Sequence, residues 1–131
     1  MNQNKIYLAV VIAAKSDEHL QVLQILTRAL MHDVSEQVKN AKQPEQIIEI
    51  LQAQPLSLTL HENLIQTEIE SQDIEDLFWS ASQILKKHNF VKCGFLSSLD
   101  PDQVIQLQDQ IWSISSSKFV QQPAISIVKP R

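Results

Sequence analysis

Four histidines and one cysteine are the side chains here that join nucleophilic capacity to a titration accessible near neutral pH. His19 holds the most suggestive position. An apolar run ends at Ala13, a polar loop follows through Ala14, Lys15, Ser16, Asp17 and Glu18, and then comes the histidine. Asp17 is suited to accept the free N–H groups of the next helix as its N-cap, which sets His19 in the first turn. A histidine at the carboxyl end of a strand and the positive end of a helix suits contact with an anion. Lys15 can add positive charge at the same rim, or stand simply as a solvated lysine.

The other candidates carry less. His32 ends a helical pattern and complements its negative terminus. His61 precedes Glu62 in a turn before a strand, and His88 closes the longest helix. No pair has the spacing of a metal site, so no metal and no cofactor is expected. Cys93, between Lys92 and Gly94, is expected as a small half-buried residue. Glu68, Glu70, Asp73, Glu75 and Asp76 cluster near a helix start, where they offset the dipole rather than form an acid/base pair. Phe78, Trp79, Phe90, Phe95 and Trp112 are spaced as core. Gly94 is the only glycine, which excludes the phosphate-binding and dinucleotide loops that need several. Any phosphoryl group must therefore arrive covalently.

The elements that position these groups are legible in the hydropathy pattern. Lys5–Ala13 is almost continuously apolar, as a strand covered on both faces would be. A helical period follows over 17–31, with Leu20, Leu23, Leu26 and Leu30 on one side. Asp33-Val34-Ser35-Glu36 opens a short helix. Pro44 opens a third, whose buried stripe is Ile47, Ile48 and Leu51. Gln52-Ala53-Gln54-Pro55 is a tight polar seam. Leu56–Leu60 and Leu64–Ile69 are short strand candidates. Asp73 begins a helix running to His88, with Ile74, Leu77, Phe78, Ala81, Ile84 and Leu85 as its stripe. A short helix is expected within 91–99, and strands over 104–107, 110–114 and 124–128.

Two stretches, VVIAAKSDEHLQVLQILTRAL and VSEQVKNAKQPEQIIEILQ, resemble the carboxyl-terminal half of the enzyme IIA domain of the fructose/mannitol branch of the phosphoenolpyruvate:sugar phosphotransferase system. The resemblance runs over about residues 6 to 52. LHENLIQTEIESQDIEDLFWSASQILKKHNFVKCGFLSSL resembles the amino-terminal half of the same domain, and QIWSISSSKFVQQPAISIVKPR extends that likeness. The order of the halves is thus inverted. It fits residues 1–52 as the end of one IIA unit and 56–131 as the start of a degenerate IIA-like middle domain.

The resemblance implies a three-layer α/β fold, a mixed sheet flanked by helices, with permuted halves packed as one unit or exchanged in a swapped homodimer. The family carries its phosphoryl group on a histidine in a Pro-His dipeptide at a strand end. This sequence contains no Pro-His dipeptide, and its best matching strand places Lys129 or a near neighbour at that position. His19 matches the family's second histidine, a neighbour of the phosphohistidine and not the carrier. The implied partners are the histidine phosphocarrier protein as donor and the fructose enzyme IIB or IIBC permease as acceptor, the latter a peripheral membrane contact. Two other readings are a non-catalytic IIA-like regulatory interaction module and a free-standing carrier using His19 itself.

Composition bounds these readings. A chain of 131 residues makes one domain, able to bury roughly two-thirds of its unfolded surface. A net charge of −4 without a Lys/Arg cluster argues against nucleic acid as partner. Met1-Asn2-Gln3-Asn4 leads straight into a strand, and a single cysteine forms no internal disulfide. Both fit an expected cytoplasmic location.

Overall fold

The computed structural model describes residues 8–14, 24, 37, 40–52, 61–70, 73–100, 102, 104–108 and 111–130. Its strands are β1 (Leu8–Ala13), β2 (Ile65–Ile69), β3 (Ile105–Gln108), β4 (Ile111–Ser116) and β5 (Ala124–Pro130). Its helices are α1 (Pro44–Gln52), α2 (Ile74–Lys87) and the short α3 (Phe95–Ser98), with a 3-10 turn at Glu62–Leu64. Apart from Gln24, Gln37 and Asn40, which are helical, the helices expected over 17–31 and from 33 lie outside the described residues, as do 53–55 of the seam expected at 52–55 and the strand expected over 56–60.

Among the described residues, one five-stranded sheet organises the fold, in the order β2-β5-β1-β4-β3. β1 runs parallel to β4 and antiparallel to β5, β2 is parallel to β5, and β3 is antiparallel to β4. Every residue of β1 is buried, which explains its unbroken apolar sequence. Leu8, Val10 and Ile12 point to one side, where Ile65, Ile111, Ile125 and Ile127 join them under Ala41 and Ile47 of the α1 region. Ala9, Val11 and Ala13 point to the other, against Leu77, Phe78, Ala81 and Leu85 of α2 and Phe95 of α3. The result is the three-layer α/β arrangement the sequence predicts.

Both long helices begin for local reasons, and α2 ends for one as well. At α1, Gln46 Oε1 accepts the backbone N–H groups of Lys42 (2.7 Å) and Gln43 (3.1 Å), just ahead of Pro44. At α2, Asp73 Oδ1 accepts the N–H of Glu75 at 3.0 Å, with Glu75 and Asp76 in the positive first turn. Lys86 and Lys87 close its last turn. Asn89 then adopts φ of 65°, and the N–H groups of Phe90 and Asn89 donate to the carbonyls of Leu85 and Lys86. That is the paired-bond C-terminus in which an asparagine can replace glycine.

Two residues depart from the sequence reading. Trp79 is 53% exposed, because it lies about 100° around the helix from Phe78, beyond the buried stripe. Cys93 is exposed, in the turn between the Val91–Val120 bridge and α3. Gly94 next to it has φ of +104°, and a Cβ there would come within 3.2 Å of the Phe119 ring.

Leu77 is fully buried among the second core cluster. We expect Leu77→Ala to cost about 2–4 kcal/mol in urea unfolding, whereas Trp79→Ala should change stability by less than about 1 kcal/mol. Equal losses at the two positions would contradict the assigned helix face.

Candidate functional site

The segment that carries Lys15 and His19 leaves the sheet at Ala14, and its own residues lie outside those described. The corner it leaves from is described in detail. Ala13 pairs with Ser116 on one side and with Ala124 on the other, and the Ala14 N–H donates to the Ser116 carbonyl at 3.3 Å. Thus β1 and β4 present their carboxyl ends together, the edge at which open α/β sheets place ligands.

Hydroxyls line this edge in a fixed order. The Ser98 hydroxyl donates to the Phe95 carbonyl at 2.6 Å. Ser116 therefore supplies the proton for the 2.8 Å contact between the two serine oxygens. The N–H of Lys118 in turn donates to Ser116 Oγ at 3.1 Å. Ser115, Ser117 and Lys118 continue the polar rim.

Lys129 stands elsewhere. Ala124 meets β1's carboxyl end, and Lys129 lies five residues further along β5, about 17 Å away at strand rise. It sits where β5 and β2 end in parallel, beside an irregularity in pairing between Gln66 and Ile69. Its ammonium donates to the Ala41 carbonyl, and Thr67 Oγ1 donates to the Lys42 carbonyl at 2.8 Å. Ala41, Lys42, Thr67, Glu68, Lys129 and Pro130 together line a groove. Burial lowers the Lys129 pKa, and the neighbouring charge of Lys42 lowers it further. The structure therefore does not bring Lys129 to the edge from which the His19 segment departs.

His61 and His88 make contacts within the scaffold. The His61 ring packs on Phe90 with centroids 5.6 Å apart, and His88 Nδ1 lies 3.4 Å from Asn63 Nδ2. Both contacts tie the turn at 61–64 to the end of α2. His32 lies outside the described residues. Among the described residues, no group of three or more His, Cys, Asp or Glu is placed to hold a metal ion.

Nearby, the exposed carboxyls of Glu45 and Glu62 share a hydrogen bond. That bond lowers the pKa of Glu45 and, with Glu45's charge, raises that of Glu62. A second groove beside Cys93 includes Ser82 and Lys86; Ser82 Oγ is buried and has no hydrogen-bond partner among the described residues.

Sequence reasoning singled out Lys129 but missed Lys42, which sits far from it in the chain, just before α1. Nothing in the local pattern announces their meeting.

Lys129 also carries a pH signature. Its folded pKa lies below its ordinary 10.5, so between those two values the unfolded chain binds the extra proton. Stability should therefore rise as pH climbs through that window. Denaturant titrations across the alkaline range should show the increment in the parent chain and lose it in Lys129→Met. An increment unchanged by the substitution would remove Lys129 as its source.

No family model matches this chain, and no solved structure matches it. Curated sequences do. A multiphosphoryl transfer protein of Vibrio cholerae is 34% identical over 127 residues, covering 95% of this chain and 32% of that relative. Proteins of the same name from Escherichia coli O157:H7 and Salmonella typhimurium are 32% and 29% identical over 124 residues, each covering 92% of this chain. The chain spans about a third of the length of the curated relatives it matches. Along nearly its whole length, this chain is homologous to one segment of the multiphosphoryl transfer proteins.

Proposed function

We propose that the chain is a segment of a phosphoryl relay in the phosphotransferase system, of the fructose IIA type, and that it does not itself carry the phosphoryl group. The observation that supports this most is the match over 95% of the chain to a third-length segment of a multiphosphoryl transfer protein. The lack of a Pro-His dipeptide fits with it. In this reading residues 1–52 are the end of a IIA unit and 56–131 the start of a IIA-like middle domain.

His19 is the group we assign to the phosphate site. As a neighbour it would donate a hydrogen bond to phosphate oxygens and offset their charge, while a histidine outside this chain forms and breaks the P–N bond. The donor would be the histidine phosphocarrier protein and the acceptor the fructose IIB or IIBC permease, met from the cytoplasm. Among the described residues no helix is long and apolar enough to cross a membrane.

Incubation with phosphoenolpyruvate, enzyme I and histidine phosphocarrier protein, followed by intact mass measurement, tests the assignment. We expect no added phosphoryl group on this chain. An acid-labile phosphoryl adduct that disappears in His19→Ala would overturn it and make His19 a carrier.

A further inference from the structure

We propose that Lys42 and Lys129 form a binding site for a tetrahedral dianion, inorganic phosphate or the phosphate of a monoester, in the groove between the ends of β2 and β5. The site stands on its own geometry, although the IIA resemblance matches the same strand end to the family's carrier position. Lys42 and Lys129 line it from distant parts of the chain, one from just before α1 and one from the last strand, near enough that the charge of Lys42 acts on Lys129. Lys129 is half-buried and held in place by its hydrogen bond to the Ala41 carbonyl. That bond uses one of three ammonium donors and leaves two for a ligand. Lys42 is exposed, but its backbone is fixed twice, by Thr67 Oγ1 on its carbonyl and by Gln46 Oε1 on its N–H.

The electrostatics favour an occupant. The neighbouring charge acting on Lys129 is a second ammonium, which together with burial disfavours its own charged form. A dianion between the two would relieve both penalties, and paired ammonium groups match its charge. The site also lies at the carboxyl ends of parallel strands, where backbone geometry opens the sheet. Glu68 lines the same groove and is held at φ of 61° beside the pairing irregularity. A negative charge at this position disfavours an anion in the groove.

The test is a titration of the full chain with inorganic phosphate at constant ionic strength, followed by backbone amide NMR, with sodium chloride as the control. We expect saturable shifts centred on Lys42, Thr67, Glu68 and Lys129. Lys42→Gln should weaken binding about tenfold while preserving the spectrum, since the hydrogen bonds at residue 42 come from its backbone. Glu68→Gln should tighten binding. Phosphate shifts that do not saturate, that scatter over all lysines, or that survive Lys42→Gln unchanged would overturn the site.

Discussion

The structure depends on burying one strand on both faces and along both edges. β1 has neighbours on each side in the sheet and a helical layer above and below. It contributes to both core clusters, so neither cluster is complete without it. The chain that supplies β1 lies before residue 14, and the strands that flank it lie beyond residue 110. Chain segments far apart in sequence thus stabilise each other through one apolar strand, and the hydrophobic term that drives this is non-directional. Direction comes from hydrogen bonding, which sets β1 parallel to β4 and antiparallel to β5.

That mixed arrangement decides where chemistry can sit. Antiparallel pairing of β1 with β5 sends their carboxyl ends to opposite edges of the sheet. One edge holds the Ser98–Ser116 hydroxyl pair and Lys118, from which the His19 segment departs. The other holds Lys129 and Lys42. Polar groups between the edges are tied off: Ser126 Oγ, fully buried, donates to the Leu64 carbonyl at 2.8 Å and fixes β5 to the turn ahead of β2. Such a bond costs little when made, and leaves a buried carbonyl unsatisfied when broken.

Much of this was legible in the residues, and the exceptions are instructive. The run at Ile6, Leu8, Val10, Val11 and Ile12 announced a doubly covered strand, and α2 was readable from its cap, stripe and basic end. Five of the six strands expected from such patterns are found among the described residues, and the sixth, over 56–60, lies outside them. Trp79 and Cys93 are exposed where their residue types suggest burial, because helical phase turns Trp79 away from the core and a turn before α3 presents Cys93 to solvent. The meeting of Lys42 with Lys129 had no local signature, since it arises only when α1 folds over the sheet. The relatives found are multiphosphoryl transfer proteins, and the IIA character of this segment is our proposal. The position assigned to His19 rests on that resemblance and on the local strand-to-helix pattern.

β1 lies between β4 and β5 within a single chain. Backbone nuclear Overhauser effects on a mixture of differently labelled copies test this arrangement. Contacts of Val10 with Ile127 and of β1 with β4 are expected, all between atoms of the same copy. Direct contacts between β4 and β5, or β1 contacts found only between copies, would contradict it.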